Sequence, residues 1–129
     1  MKTVEINPSG CFKNWKSSTL KELRNDPIGE SFTGANLLFE NDYIKLWDIT
    51  LSPGERLPFS KKSTNYSWTC LSGGQTVSHC ADGTIRMYKI EKGEICFFQF
   101  KNQKYISDIE NVGKNIMVIH IVEYKNEVF

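Results

Sequence analysis

Nothing in this chain carries an excess of one charge. Its formal net charge is +1, so no basic surplus marks nucleic acid or an anionic membrane as a partner. No apolar run approaches the ~18 residues of a membrane span. The opening MKTVEINPSG has no apolar stretch after its lysine and does not read as a secretory signal. Cysteine is sparse: Cys11, Cys70, Cys80 and Cys96 form no C-x-x-C pair and match no zinc-ribbon spacing. Free, mostly buried thiols in a reducing compartment are expected, and with them a cytoplasmic location. Histidine is rarer still, with only His79 and His120. His79 and Cys80 are neighbours on a strand-like run, so they point to opposite faces and do not easily share a metal. His79 precedes an Asp-Gly turn and is expected at the surface. His120 lies in a strongly apolar run and is expected as a hydrogen-bonded core residue. No Ser/His/Asp series can be traced, and Ser72-Gly73-Gly74-Gln75 is a hairpin turn rather than a phosphate loop. There is no internal repeat or low-complexity segment.

The chain's 129 residues suit one domain with one core. Residues 1–35 read as an N-terminal arm and a short helix packed on a barrel formed by 36–129. Within the arm, Val4 and Ile6 alternate with polar neighbours as in a short strand, and Phe12 and Trp15 are expected to pack on the domain. Thr19-Leu20-Lys21-Glu22 has the form of a capping box and predicts a helix to about Asn25, stopped by Pro27 and Gly29. From Asn36 onward the character is β. ANLLFE, DYIKLWDITL, RLPFS, YSWTCL, QTVSHC, TIRMYKI, EICFFQF, KYISDI and NIMVIHIVEY are short and rich in β-branched or aromatic residues. Turn chemistry separates them, and Asp82-Gly83 predicts a two-residue hairpin with both residues at positive φ. The fold class expected is all-β, a sandwich or barrel. Strands apolar on both faces, such as Ile95–Phe98 and Met117–Ile119, belong between two layers or against a partner subunit. A homodimer is expected.

The stretch from Pro53 to Gly74, PGERLPFSKKSTNYSWTCLSGG, organises the rest. Gly54 is followed at fixed intervals by Ser60, Lys62, Tyr66 and Gly73. This frame resembles the first motif of the cupin superfamily, G-x5-H-x-H-x3/4-E-x6-G. Ser60 and Lys62 stand where that motif has histidines, and Tyr66 where it has glutamate. The second motif is matched through Gly93 and through Ser107-Asp108-Ile109-Glu110-Asn111, where Ser107 replaces the third histidine. Its loop through Lys101-Asn102-Gln103-Lys104 is longer than usual. The resemblance covers about residues 36–124. It implies a double-stranded β-helix, the jelly-roll barrel of small, RmlC-like, single-domain bacterial cupins, with a degenerate metal-binding motif.

A cupin metal needs imidazole nitrogens and a carboxylate at about 2.0–2.2 Å. Hydroxyls and a phenol are poor neutral ligands, and an ammonium repels a cation. The expectation is no metal and no cofactor. Strand parity groups Ser60, Lys62, Tyr66, Trp68, Cys70 and Ser107 around the former metal position. They would suit a small organic anion: Lys62 for its charge, Tyr66 and the serines as donors, Trp68 for its apolar part. Lys61, of opposite parity, faces solvent. In a second reading Lys62 snorkels to water and Tyr66 and Trp68 fill the interior, leaving a structural or dimerisation barrel. In a third, a buried Lys62 of lowered pKa acts with Tyr66 in a metal-independent lyase or isomerase. The catalytic residues and the identity of the ligand stay open.

Overall fold

The computed structural model describes residues 1–99 and 105–125. The expected loop through Lys101–Lys104 lies outside the described residues. Each of the nine β-rich runs forms a strand: β3 (Asn36–Glu40), β4 (Ile44–Leu51), β5 (Arg56–Lys62), β6 (Tyr66–Cys70), β7 (Gly74–His79), β8 (Ile85–Ile90), β9 (Ile95–Phe98), β10 (Tyr105–Asn111) and β11 (Met117–Tyr124). Before them lie β1 (Lys2–Ile6), α1 (Ser17–Asn25) and β2 (Gly29–Glu30). No described helix is long and apolar enough to cross a membrane.

The strands form two sheets. One has the order β1-β8-β7-β10-β5-β2 and the other β3-β4-β11-β6-β9. Along β11, buried and half-buried residues alternate over its whole length, as a strand with one face on a core requires. The inward set Met117, Ile119 and Ile121 meets Ile49, Leu51 and Cys70 in the main core between the sheets. Burying each of the larger side chains contributes roughly 1.5–3 kcal/mol, and the sheets are held face to face mainly by this layer. The outer face of the second sheet keeps apolar residues at the surface, including Phe39, Ile95 and Phe97. His120 is on that outer face, not in the core. It is half-buried, and its Nε2 lies 2.9 Å from Asp48 Oδ2. The expected hydrogen bond is present, but strand parity turns the ring away from Ile119 and Ile121.

The N-terminal segment is woven into the first sheet. β1 pairs with β8, and β2 runs parallel to β5, with Gly29 opposite Ser60. α1 covers the back of this sheet over a second, smaller core of Trp15, Phe59 and Ile85, joined by Leu20 and Leu23. Trp15 stacks on Phe59 at 6.0 Å and donates from Nε1 to Gly83 O at 2.8 Å. The helix ends near Asn25 as expected, but the capping box does not form. Lys16 is the N-cap residue, with no side-chain cap bond. Glu22 instead takes a bidentate grip from Arg56, Nη1 donating at 2.9 Å to Oε1 and Nη2 donating to Oε2. A charge-assisted pair outcompetes a single bond to a backbone N–H.

The Asp82-Gly83 turn also differs from expectation. The ladder closes with His79 opposite Ile85 and with Cys80 N donating to Thr84 O at 2.8 Å. Ala81, Asp82 and Gly83 therefore make a three-residue loop, in which Gly83 (φ +100°) is at positive φ and Asp82 is not. The Asp82 carboxylate accepts from Thr84 N at 2.9 Å, which favours the longer loop.

Candidate functional site

The motif glycines Gly54 and Gly73 bracket β5 and β6, at φ +84° and +72°. Between them, β5 turns Ser60 and Lys62 inward and leaves Lys61 half-buried on the other side. On β6, Tyr66, Trp68 and Cys70 are buried in strict alternation. β10 returns beside β5 with Ser107 directly opposite Ser60. Ser107 and Ile109 share the inward face by ordinary alternation, with Asp108 on the other side, and a bulge in β5, where three residues span two of β10, brings both Leu57 and Ser60 to the interior.

These residues enclose a cavity of about 270 Å³ between the two sheets. Of the six expected site residues, Ser60, Lys62, Tyr66, Trp68 and Ser107 are on its wall. Cys70 is not. It is 1 % exposed and belongs to the main core below.

Lys62 does not reach out to water: it is 7 % exposed. Its Nζ donates to Ser107 O at 2.9 Å and to Ser107 Oγ at 3.2 Å, and it lies 5.7 Å from the centre of the Phe32 ring. Burial lowers its pKa from the ordinary 10.5 to about 8, against the opposing pull of Asp108 and Cys80. An ammonium has three N–H groups, so one stays available beyond those two bonds. Tyr66 is buried and its phenol pKa is pushed well up by that burial. The indole Nε1 of Trp68 is buried with no hydrogen-bond partner among the described residues.

Several wall residues escaped sequence reasoning. Phe32 enters from the segment after β2, where Ser31 N donates to Lys61 O at 2.9 Å and Ser31 Oγ donates to Glu123 Oε2 at 2.9 Å. No local pattern links residue 32 to β5; the parallel β2 pairing does. Arg86, Tyr88 and Ser78 enter from the β7–β8 hairpin, with Ser78 opposite Arg86. Their shared parity with the buried Ile90 was the available signal. Tyr105 stands at the start of β10. Its hydroxyl is 2.7 Å from Cys80 Sγ and accepts from Arg86 Nη1 at 3.1 Å. Burial raises the pKa values of Tyr105 and Cys80, so both hold their protons.

A second polar cluster lies on the far side of the first sheet. Asp108 is fully buried. It accepts from Arg56 Nε at 2.6 Å and from the backbone N–H of His79 at 2.5 Å, and His79 Nδ1 lies 3.0 Å from its Oδ2. His79 is thus not at the surface as expected. Its side chain is 12 % exposed and meets Trp15 edge-on at 5.0 Å. The arm covers it, and the buried carboxylate holds it there.

The cavity's donor set does not suit a first-row divalent ion. It offers hydroxyls, protonated phenols and two cations, and no histidine, aspartate or glutamate is on the described wall. Among the described residues, no group of three or more His, Cys, Asp or Glu is placed to hold a metal.

No protein-family model matches the chain, and no curated protein does. Solved structures do match. A cupin domain from Bordetella pertussis aligns with TM-score 0.64 at 14% identity, covering 71% of this chain and 92% of that one. An RmlC-like cupin family protein with a double-stranded β-helix fold from Methanocaldococcus jannaschii aligns with TM-score 0.56 at 19% identity, covering 70% and 77%. A predicted oxalate decarboxylase from Thermotoga maritima aligns with TM-score 0.51 at 21% identity, covering 70% and 77%. The fold is therefore the double-stranded β-helix of the cupin proteins.

Proposed function

We propose that this chain is a metal-independent member of the cupin superfamily that binds a small organic anion in the barrel cavity. The observation that carries the reading is the Lys62 ammonium. It is buried at the wall of an open cavity, keeps an N–H free of its two bonds to Ser107, and faces no carboxylate on the described wall. A desolvated charge of this kind is costly unless it meets an anion. Ser60, Ser107 and Tyr66 supply further donors, and Trp68 packs on the apolar part of the ligand. The open volume beside Lys62 weighs against a filled, purely structural interior.

The reading is tested by titrating benzoate into the protein calorimetrically, beside a Lys62→Met variant, with metal content measured on protein purified without chelator. Binding that disappears in the variant, with substoichiometric metal, is the expected result. Binding equal in the two proteins, or a stoichiometric metal lost on mutating Ser60 and Ser107, overturns it.

One observation favours a second, catalytic reading. With its pKa lowered to about 8, Lys62 holds an appreciable neutral fraction near physiological pH. Tyr66, kept protonated by burial, lines the same cavity from the opposite sheet. Lys62 would then attack a substrate carbonyl carbon, with loss of water, as the first step of a lyase or isomerase. Borohydride treatment in the presence of small aldehydes and keto acids, followed by intact mass, detects the reduced adduct; no mass gain dismisses this route.

A further inference from the structure

We infer that the ligand of this cavity carries two anionic groups separated by a flat or apolar middle, with Arg86 as the second anchor. The inference rests on the anion-binding reading of the same site.

Lys62 and Arg86 are the two charged side chains on the described wall, and no acidic side chain joins them. They come from different parts of the barrel. Lys62 ends β5 and Arg86 lies on β8, with β10 and β7 between them in the sheet. Three spacings of about 4.8 Å put their strands roughly 14 Å apart across the sheet, and both side chains reach inward from a concave surface. A single carboxylate does not need two cations so placed.

The floor between them is aromatic. Phe32, beneath the Lys62 ammonium, meets Tyr66 edge-on at 4.9 Å, and Tyr66 stacks on Phe98 at 4.9 Å. Phe98 lies 5.5 Å from Trp68, and Trp68 meets Tyr88 edge-on at 5.8 Å. Tyr88 lies against the Arg86 side chain. The result is a ribbon of rings with a cation at each end. Midway along it the Trp68 Nε1 is buried and unpartnered among the described residues, a donor suited to a polar atom near the ligand's centre.

Arg86 is not wholly committed elsewhere. Nη1 donates to the Tyr105 hydroxyl at 3.1 Å, and the guanidinium also makes a hydrogen bond with Tyr88. Nε lies 3.1 Å from Glu5 Oε1, an ion pair with an exposed carboxylate that lacks the geometry of a hydrogen bond. A guanidinium has five N–H donors, and the remaining ones suit bidentate capture of a carboxylate. The chemical class that fits is a small dicarboxylate with a ring or short apolar chain, about a dozen non-hydrogen atoms for a cavity near 270 Å³.

The test compares matched acids on the intact protein by calorimetry: benzoate against terephthalate, and butyrate against glutarate. Phenyl phosphate serves as a probe that places two charges on one group. The expected result is that a dicarboxylate binds on the order of tenfold tighter than its monocarboxylate. Arg86→Met and Arg86→Gln should both erase that preference, so that the matched acids bind each variant equally. Equal affinity for the matched acids in the wild-type protein overturns the two-ended ligand and leaves the single-anion reading standing. So does a preference that survives in both variants, or phenyl phosphate binding tighter than either dicarboxylate. Absence of binding by every acid, with Lys62→Met indistinguishable from wild type, overturns both readings together. The matched-acid comparison needs no variant, so it decides the question even if neither substitution folds.

Discussion

The Lys62 ammonium donates to both oxygens of Ser107, at 2.9 Å to the carbonyl and 3.2 Å to the hydroxyl, inside a cavity that holds its pKa near 8. The folded pKa is below the ordinary 10.5, so between about pH 8 and 10.5 the unfolded chain binds more protons at this site than the folded one. The cost of burying the charge is fully present below pH 8 and disappears as pH rises through that window. Cys80, Tyr88 and Tyr105 have pKa values raised by burial and act in the opposite direction at alkaline pH. The comparison that isolates the lysine is therefore with Lys62→Met, which keeps those groups. Wild type should gain on the variant by up to about 3 kcal/mol between pH 7 and pH 10, read from urea unfolding. A pH-independent gap would show that Lys62 titrates normally.

Asp108 links the outer polar cluster to the cavity. It is the buried partner of Arg56 and His79, and its field raises the pKa of Lys62 from the far side of β10. Asp108→Ala leaves the Arg56 guanidinium with Glu22 alone and strips the His79 backbone N–H of its acceptor. A loss of about 3–5 kcal/mol in unfolding free energy is expected. The milder Asp108→Asn should fold and lower the Lys62 pKa further below 8. The pH at which anion binding falls away should move down with it; an unmoved midpoint would mean Asp108 serves only the outer cluster.

The sequence showed much of this arrangement where the determinants are local. Nine strands were legible because β-branched runs alternate with Gly, Asn and Asp turns. The fixed intervals from Gly54 to Gly73 picked out Ser60, Lys62 and Tyr66, strand parity added Trp68, and all four line the cavity, two from each sheet. Parity failed for Cys70, since sharing a face with Trp68 does not say how deep along the strand the cavity extends. Phe32 had no local signal, and Arg86 had only its parity with Ile90. Phe32 depends on a parallel pairing of two residues, and Arg86 on how the β7–β8 hairpin curves over the interior. His79 was misjudged because its cover comes from Trp15, far away in sequence. The capping box failed because Glu22 had a stronger partner in Arg56 than any the helix offered.

Gly83 should be intolerant of any side chain. It sits at φ +100°, and a Cβ there would collide with Cys11 O, a backbone atom with little freedom to yield. Its carbonyl also accepts from Trp15 Nε1 at 2.8 Å and from Asn7 Nδ2 at 3.3 Å, so the turn anchors the N-terminal arm. Gly83→Ala should cost at least about 2 kcal/mol from backbone strain alone. It should also expose Trp15, visible as a red shift in tryptophan emission before global unfolding. A variant as stable as wild type with unchanged emission would show that the arm docks without this turn.

Asn111 ties together the loops at the end of the barrel away from Lys62. It is 1 % exposed. Its Nδ2 donates to Leu51 O and to Asn115 O, each at 2.9 Å, and its Oδ1 accepts from Gly113 N at 2.9 Å. Its own backbone oxygen accepts from Gly54 N at 2.8 Å, so the closing residue of the second motif touches the opening glycine of the first. Asn111→Ala removes the three side-chain bonds and leaves the Leu51 carbonyl without its side-chain donor in a dry interior. Each orphaned group costs about 1–3 kcal/mol, so a total near 3 kcal/mol is expected in urea unfolding. Asn111→Asp separates the donors from the acceptor. It keeps the bond to Gly113 N but sets a carboxylate against two carbonyl oxygens. At neutral pH it should be at least as damaging as alanine, and it should recover part of the loss near pH 4, where a protonated carboxyl again has one hydrogen to donate. Neither variant touches the described cavity wall, so the folded fraction should bind benzoate with wild-type affinity. A binding defect larger than the unfolded fraction explains would place Asn111 in the ligand site instead of the scaffold.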